Sequence, residues 1–292
     1  MPKHGKTGSL KAALQNVSDI GLEACATLSS LRGRAFRNRN YFVFFPPFFV
    51  VFVSFVLGRL AAHRRVVDST RTRRVTVLSE KAVRDEIVKY GARLYDRGYV
   101  LANGGNISVR LNPNEALITP TGECLGDLTT DMLVKVNLRG KKLEGYMNPS
   151  SETKSHVLIY RLRPEVNAVI HAHPPYLTGM AIAGETFEQF AHPETYVIVG
   201  RVGGVPYRPP HQMASQIGKA LKGYNALMWA NHGVLTVGAT LRLAHFRMES
   251  LEMLAHSVTV AKIHGRVNPL TPSDLKRLDG FVRLVERRSR GA

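Results

Sequence analysis

The sequence predicts a layered α/β domain, and three observations carry that prediction. Short apolar runs with strand character alternate with longer segments whose apolar residues recur at helical spacing. Glycine, asparagine and proline clusters punctuate the junctions between them. At 292 residues and 44% hydrophobic, the chain can bury a full core.

Residues 1–78 stand apart from this pattern. They carry 13 Lys/Arg against 3 Asp/Glu, a net +10, whereas residues 79–292 carry 27 against 19, a net +8. More than half of the overall charge of +18 therefore sits in the first quarter of the chain. The remainder forms no basic stripe interleaved with aromatics, which argues against a nucleic-acid partner and for a solvated surface or a field for an anionic substrate. Within the extension, Tyr41 to Leu57 is charge-free and apolar but broken by Pro46-Pro47. As a helix it would span about 26 Å, short of a roughly 30 Å hydrocarbon core, with a kink at the prolines. Three readings of it stay open: a membrane contact, a cleavable signal with an unusually long charged lead, and a start codon assigned too far upstream. Residues 58–78 read as a linker.

The folded unit is expected over 79–292. Ser79 can cap a helix with apolar Ala82, Ile87, Ala92 and Leu94, stopped near Gly98. Asn103-Gly104-Gly105 then turns into a strand over Asn106–Arg110, followed by strands over Ala116–Ile118 and Leu133–Asn137. A helix is expected over His156–Arg163, a core strand over Val166–His173 and a helix over Pro175–Ala183. Tyr196–Val199 and Val205–Tyr207 read as short strands flanking Gly203-Gly204. Next come a helix over Gln212–Leu221, strands over Ala226–Ala230 and Val234–Val237, and a long helix from Leu241 to His264. Thr271-Pro272-Ser273-Asp274 has a helix-start pattern and opens an Arg-rich closing helix.

Titratable groups collect at the element ends. In a strand over Val166–His173, His171 and His173 share one face. A lone His-x-His is weak evidence for a metal, but Glu152 precedes a helix and His232 ends a strand. Three imidazoles and a carboxylate make a complete tetrahedral donor set for a divalent transition metal, Zn²⁺ first, with Mn²⁺ or another divalent ion also suited. His156 falls one helical turn after Glu152 and can support it. The other histidines read as surface or packing residues. Cys25 and Cys124 are far apart and share no ligand spacing, so neither a disulfide framework nor a CxxC site is indicated, and a reducing, cytoplasmic compartment fits. No GxGxxG lies between a strand and a helix start, which argues against dinucleotide binding.

The ordered series Gly105-Asn106-Ile107-Ser108, Thr119-Pro120-Thr121-Gly122, Pro149-Ser150-Ser151-Glu152, His171-Ala172-His173-Pro174 and Asn231-His232-Gly233 resembles the class II aldolase/adducin-head family, over about residues 80–265. That family includes L-fuculose-phosphate aldolase, L-ribulose-5-phosphate 4-epimerase and sugar-acid phosphate decarboxylases. The resemblance implies an α/β/α domain with a central, mostly antiparallel or mixed sheet. It also implies a zinc-dependent lyase that cleaves a C–C bond of a phosphorylated ketose or sugar acid through a metal-stabilised enediolate. His171, His173 and His232 would hold Zn²⁺, with Glu152 the fourth ligand and, once displaced by substrate, the general acid/base. Asn106, Thr121, Gly122, Ser150 and Ser151 would bind the substrate phosphate. A tyrosine from a neighbouring subunit would protonate the departing aldehyde, with Tyr196 the nearest candidate, and the assembly would be a homotetramer. The family's His-His-Gly is Asn231-His232-Gly233 here, and the additional acid/base residues of the epimerases have no clear match. A 4-epimerase, a decarboxylase and a non-catalytic adducin-like scaffold are the alternatives, the scaffold being disfavoured because all four ligands are retained.

Overall fold

The computed structural model describes residues 79–290 except Glu188, Gln189 and Pro209. The basic extension 1–78, with its apolar run 41–57, lies outside the described residues. Among the described residues, no helix is long and apolar enough to cross a membrane.

Helix α1 spans Glu80–Asp96, and the Ser79 side chain accepts the Ala82 N–H as its N-cap. The polypeptide continues through β1 (Asn106–Arg110), β2 (Glu115–Ile118), β3 (Val134–Asn137), β4 (Lys142–Glu144), α2 (Thr153–Leu162), β5 (Ala168–Ala172) and α3 (Pro175–Ile182). The second half comprises α4 (Pro193–Val199), β6 (Val202–Val205), α5 (Pro210–Ala220), β7 (Ala226–Trp229), β8 (Gly233–Gly238), α6 (Leu241–Ile263) and α7 (Pro272–Arg290).

The eight strands form one sheet in the order β4-β3-β2-β1-β5-β8-β7-β6. Every neighbouring pair is antiparallel except β6 and β7, so the sheet is mixed and mostly antiparallel, as the resemblance implied. Alternation along β5 sends Ala168, Ile170 and Ala172 into a core shared with α1, α3, α4, α6 and α7. Val169 points the other way, into a core shared with α2 and α5. Helices thus cover both faces, and His171, two residues after Val169, falls on the α2/α5 side.

Three expectations change. Tyr196–Val199 is helical, not extended: Pro193 occupies the first turn and the His192 side chain accepts the Thr195 N–H as a cap, signals that outrank a four-residue apolar run. The following strand is Val202–Val205 rather than Val205–Tyr207, and Gly203-Gly204 lies inside it, paired in parallel with Leu227 and Met228. The core strand stops at Ala172, because the His173 N–H leaves the ladder and donates to the Tyr99 carbonyl at 2.9 Å. Strand β4, a short polar edge, had no apolar signature to reveal it.

Two buried charges on α6 tie the layers together. Glu252 accepts the Tyr176 and Leu177 N–H groups at the start of α3, both at 2.9 Å, fixing the chain just beyond His173-Pro174. Arg247, 3% exposed, donates to the Ile198 carbonyl at the end of α4 (3.0 Å) and to the Val237 carbonyl in β8 (2.6 Å). Burial pushes its pKa down to about 9, so the guanidinium remains charged at neutral pH. Arg247→Met strands two buried carbonyls and is expected to lower unfolding free energy by about 2–3 kcal/mol, read as a reduced urea midpoint.

Candidate metal centre and catalytic site

The sheet brings together residues distant in sequence at one end of β5 and β8. The Nε2 atom of His171 lies 3.0 Å from that of His173 and 3.0 Å from that of His232. The three donor nitrogens lie within 4.8 Å of one another. Oε1 of Glu152 stands 3.6 Å from the Nε2 atoms of both His171 and His232. Donors about 2.0–2.2 Å from an ion stand about 3.3–3.6 Å apart in a tetrahedron, and the separations of His171 from His173, His232 and Glu152, and of His232 from Glu152, fall within a few tenths of an ångström of that spacing.

Hydrogen accounting reinforces the fit. The His171 Nδ1 lies 3.0 Å from the Val234 carbonyl. A carbonyl only accepts, so Nδ1 carries the hydrogen and Nε2 of the neutral ring presents a lone pair to the other imidazoles. Burial, ahead of any charge, lowers the His171 pKa. Burial followed by the neighbouring His171 and His232 pushes His173 down to about 4. Both rings are therefore neutral at pH 7, the form that binds a cation. Burial by itself would raise the Glu152 pKa, but His171, His232, His156 and Asn106 outweigh it and hold the carboxyl well below the usual carboxylate range.

Local backbone requirements explain the motifs. Asn231 adopts φ +57°, a left-handed conformation that asparagine tolerates, and closes the tight β7–β8 connection in which the His232 N–H donates to the Trp229 carbonyl. A Cβ on Gly233 would lie 2.4 Å from His173 Cδ2 and 2.5 Å from the Ala172 carbonyl oxygen. One on Gly105, at φ +76°, would lie 2.9 Å from the His171 carbonyl oxygen. Glycine at both positions lets backbone pass directly against the histidines.

Glu152 is the N-cap residue of α2, and its side chain makes no capping bond. Instead Oε2 accepts from Asn106 Nδ2 at 3.2 Å. The Glu152 N–H donates to Ser150 Oγ at 3.2 Å. The Thr119–Gly122 and Pro149–Glu152 turns are locked together: Pro120 bridges Pro149, the Ser150 N–H donates to the Thr119 carbonyl, and the Thr121 N–H donates to the Asn148 carbonyl. Thr121, Gly122, Ser150 and Ser151 consequently share one rim, with Thr121, Gly122 and Ser151 exposed and Ser150 buried. Asn106 lies beneath it, facing Glu152.

Tyr196 is not part of this cluster. It is 3% exposed on α4, and its hydroxyl donates to Asp279 Oδ1 of α7 at 2.7 Å. The end of α4 is tied to Asn225 and Val237, the opposite ends of β7 and β8 from Trp229 and Gly233. Sequence reasoning passed over Trp229, whose buried indole packs 4.7 Å from the His171 ring and 5.0 Å from the His232 ring, centroid to centroid. It is the chain's single tryptophan and ends the strand before Asn231-His232-Gly233, which was the available signal.

Comparison with known proteins gives a consistent result. Residues 85–259 match the family described as Class II Aldolase and Adducin N-terminal domain. The 3-oxo-tetronate 4-phosphate decarboxylase of Pectobacterium atrosepticum is 37% identical over 206 residues, covering 68% of this chain and 94% of that protein. The L-fuculose phosphate aldolase of Methanococcus vannielii is 36% identical over 172 residues, covering 58% of this chain and 92% of that one. Among solved structures, YgbL of Klebsiella pneumoniae, a candidate aldolase/epimerase/decarboxylase, superposes with a TM-score of 0.65 at 33% identity over 69% of this chain and 99% of its own.

The contact between Gly233 and His173 generates a prediction. Gly233→Ala should displace both the His173 ring and the end of β5 at the Ala172 carbonyl. The purified variant is expected to hold less divalent metal than the parent by elemental analysis and to unfold at a lower urea midpoint.

Proposed function

The chain belongs to the class II aldolase and adducin N-terminal domain family, and from that premise we propose that it is a metal-dependent carbon–carbon lyase acting on a phosphorylated sugar or sugar acid. The observation that carries this reading is the convergence of the His171, His173 and His232 donor nitrogens, with Glu152 Oε1 3.6 Å from two of them. His171, His173 and His232 would hold the ion, Zn²⁺ in the first instance and Mn²⁺ as an acceptable substitute for three nitrogens and an oxygen. A divalent ion held there supplies Lewis-acid polarisation of a substrate carbonyl, which weakens the adjacent C–C bond.

The protein's own groups do the rest. Glu152 is the replaceable donor, because a carboxylate at a helix entry can move whereas imidazoles anchored to the sheet end cannot. Free of the histidines, it is the general acid/base at the substrate carbon, with Asn106 steadying its second oxygen. Thr121, Gly122, Ser150 and Ser151, with Asn106, offer hydroxyl, amide and backbone N–H donors to phosphate oxygens. Retention of this whole set weighs against a non-catalytic scaffold.

Within this class, one observation favours decarboxylation of a 3-oxo sugar-acid phosphate over aldol cleavage. Aldol cleavage turns a substrate hydroxyl into an aldehyde and so needs a group to take that proton, whereas CO₂ leaves without one, and Tyr196, the candidate for that role, is buried against Asp279 away from the histidine cluster. The similarity to a 3-oxo-tetronate 4-phosphate decarboxylase supports the same choice. If the reaction is aldol cleavage, Tyr196 is the candidate to take the proton of the substrate hydroxyl as the aldehyde forms, across a subunit contact of a homotetramer. We also assign catalysis to residues 79–292, treat 1–78 as an extension, and place the protein in the cytoplasm, which suits the free thiol of Cys124.

Product analysis on 3-oxo acid phosphates and phosphorylated ketoses tests the reading: CO₂ is expected from the former, whereas two carbonyl fragments from the latter would select the aldolase arm. Glu152→Gln is expected to lower kcat by about 10²–10⁴-fold. His173→Ala should lose both metal and turnover. Chelator-treated full-length protein should be inactive and recover with Zn²⁺ or Mn²⁺; full turnover by protein shown to be metal-free would refute the proposal.

A further inference from the structure

His156 is fully buried on α2, one turn after Glu152, and its backbone N–H donates to the Glu152 carbonyl at 3.2 Å. Its Nδ1 lies 2.7 Å from Ser108 Oγ on β1, and the same Oγ lies 2.7 Å from the Tyr160 hydroxyl. Its Nε2 is buried with no hydrogen-bond partner. Three groups thus form a chain whose far end is an unmatched buried atom.

Counting hydrogens gives that chain a direction. The Tyr160 hydroxyl is fully buried; its side-chain partner is Ser108, and its backbone partner, the Val169 N–H, only donates. If Ser108 donated to Tyr160, the Tyr160 hydrogen would have nowhere to go. The arrangement that uses every hydrogen runs from Tyr160 to Ser108 and from Ser108 to His156 Nδ1. Nδ1 is then the acceptor, and Nε2 of the neutral ring carries a hydrogen. Residues four apart at the start of a helix share a face, so this N–H lies on the side of α2 from which the Glu152 carboxylate projects. Glu152 is also the charge that attracts His156 most strongly, against a burial that keeps the ring neutral.

We propose that His156 is a positioning residue whose Nε2–H accepts the role of docking partner for the Glu152 carboxylate when that carboxylate leaves the histidine cluster. No proton changes hands in this step: His156 donates a hydrogen bond, and Tyr160 and Ser108 fix the tautomer that lets it do so. Asn106 Nδ2 and His156 Nε2–H would then hold the carboxylate between them, aimed at the substrate carbon. The inference rests on the reading of Glu152 as the group that works on substrate, but its structural half stands without it.

Two measurements on the full-length protein test it. The first is the ¹⁵N spectrum of the histidine rings in metal-free protein, with His156 assigned by the signals missing from His156→Gln. A protonated Nε2 and bare Nδ1 are expected, and Ser108→Ala should shift His156 toward a mixture of tautomers; a parent ring protonated at Nδ1 overturns the proposal. The second is kinetic. His156→Leu should lower kcat by about ten- to a hundredfold with KM and metal content unchanged. His156→Gln, which keeps an N–H near the Nε2 position, should recover most of that loss. A Leu variant with parental kcat, a loss explained by missing metal, or a Gln variant no better than Leu each overturns it. Where His156→Leu fails to fold, Ser108→Ala decides: a reduced kcat together with the tautomer shift supports the relay, and no change in either removes it. If the parent turns over neither 3-oxo acid phosphates nor phosphorylated ketoses, the functional reading fails, while the tautomer measurement still decides the relay.

Discussion

The hydrogen bond between His171 Nδ1 and the Val234 carbonyl is the contact on which the rest of the site depends. It joins a side chain of β5 to the backbone of β8, the strand paired with it, and it settles which ring nitrogen carries the hydrogen. With that settled, the His171 lone pair faces the other two imidazoles, and the remaining geometry follows from sheet order. Strand β5 lies between β1 and β8, so the Asn106 that begins β1 is registered opposite His171. The connection from β7 into β8 returns His232 to the same end. Three imidazole nitrogens drawn this close around the buried His171 ring set lone pairs against one another unless something positive lies between them. A cation resolves it, which is why the donor set reads as a metal centre.

Mobility is distributed unevenly around that centre. The imidazoles are held by elements that cannot shift independently: a central strand, a two-strand connection closed by Asn231, and a backbone segment pinned between Tyr99 and the start of α3. Glu252 holds that helix start from the neighbouring α6, so His173 is braced by a helix whose carboxylate lies about 80 residues further along the chain. Glu152 has no such bracing. It caps a helix without using its side chain to do so, and 23% of that side chain remains exposed. A site with three rigid donors and one loose donor suits a reaction in which the fourth position must be surrendered.

The four donors were legible in the sequence because each stood at the end of an apolar run or at a helix start, positions where a polar group is not needed for packing. The layered α/β class was legible for the same reason, from alternation of periods. Other features were hidden because they exist only across long separations. Nothing local to Ser108 or Tyr160 indicates that they meet, 52 positions apart, on a buried hydroxyl pair. Tyr196 was misread as a strand residue because a run of Tyr-Val-Ile-Val has high β-propensity, and the competing signals, Pro193 and the His192 cap, lie upstream of the run itself. Strand β4 is held by pairing with β3 rather than by any apolar face.

The environment of Tyr196 also shows where the two lyase chemistries part. Carbonyl polarisation and a nearby carboxylate serve both reactions, so the groups around His171 do not distinguish them. The difference lies in the departing fragment, and hence in whether a group stands ready to take the hydroxyl proton that an aldehyde leaves behind. Tyr196 meets Asp279, and Asn225 meets Glu286, both through α7, a helix that begins at Pro272, beyond the residues 85–259 matched to the family. Burial and the Asp279 carboxylate both raise the Tyr196 pKa, keeping the phenol protonated and its hydrogen directed at Asp279. On the proposed reading, the choice between releasing CO₂ and releasing an aldehyde is therefore governed less by the metal centre than by a C-terminal helix that holds the candidate tyrosine, Tyr196, away from the histidines.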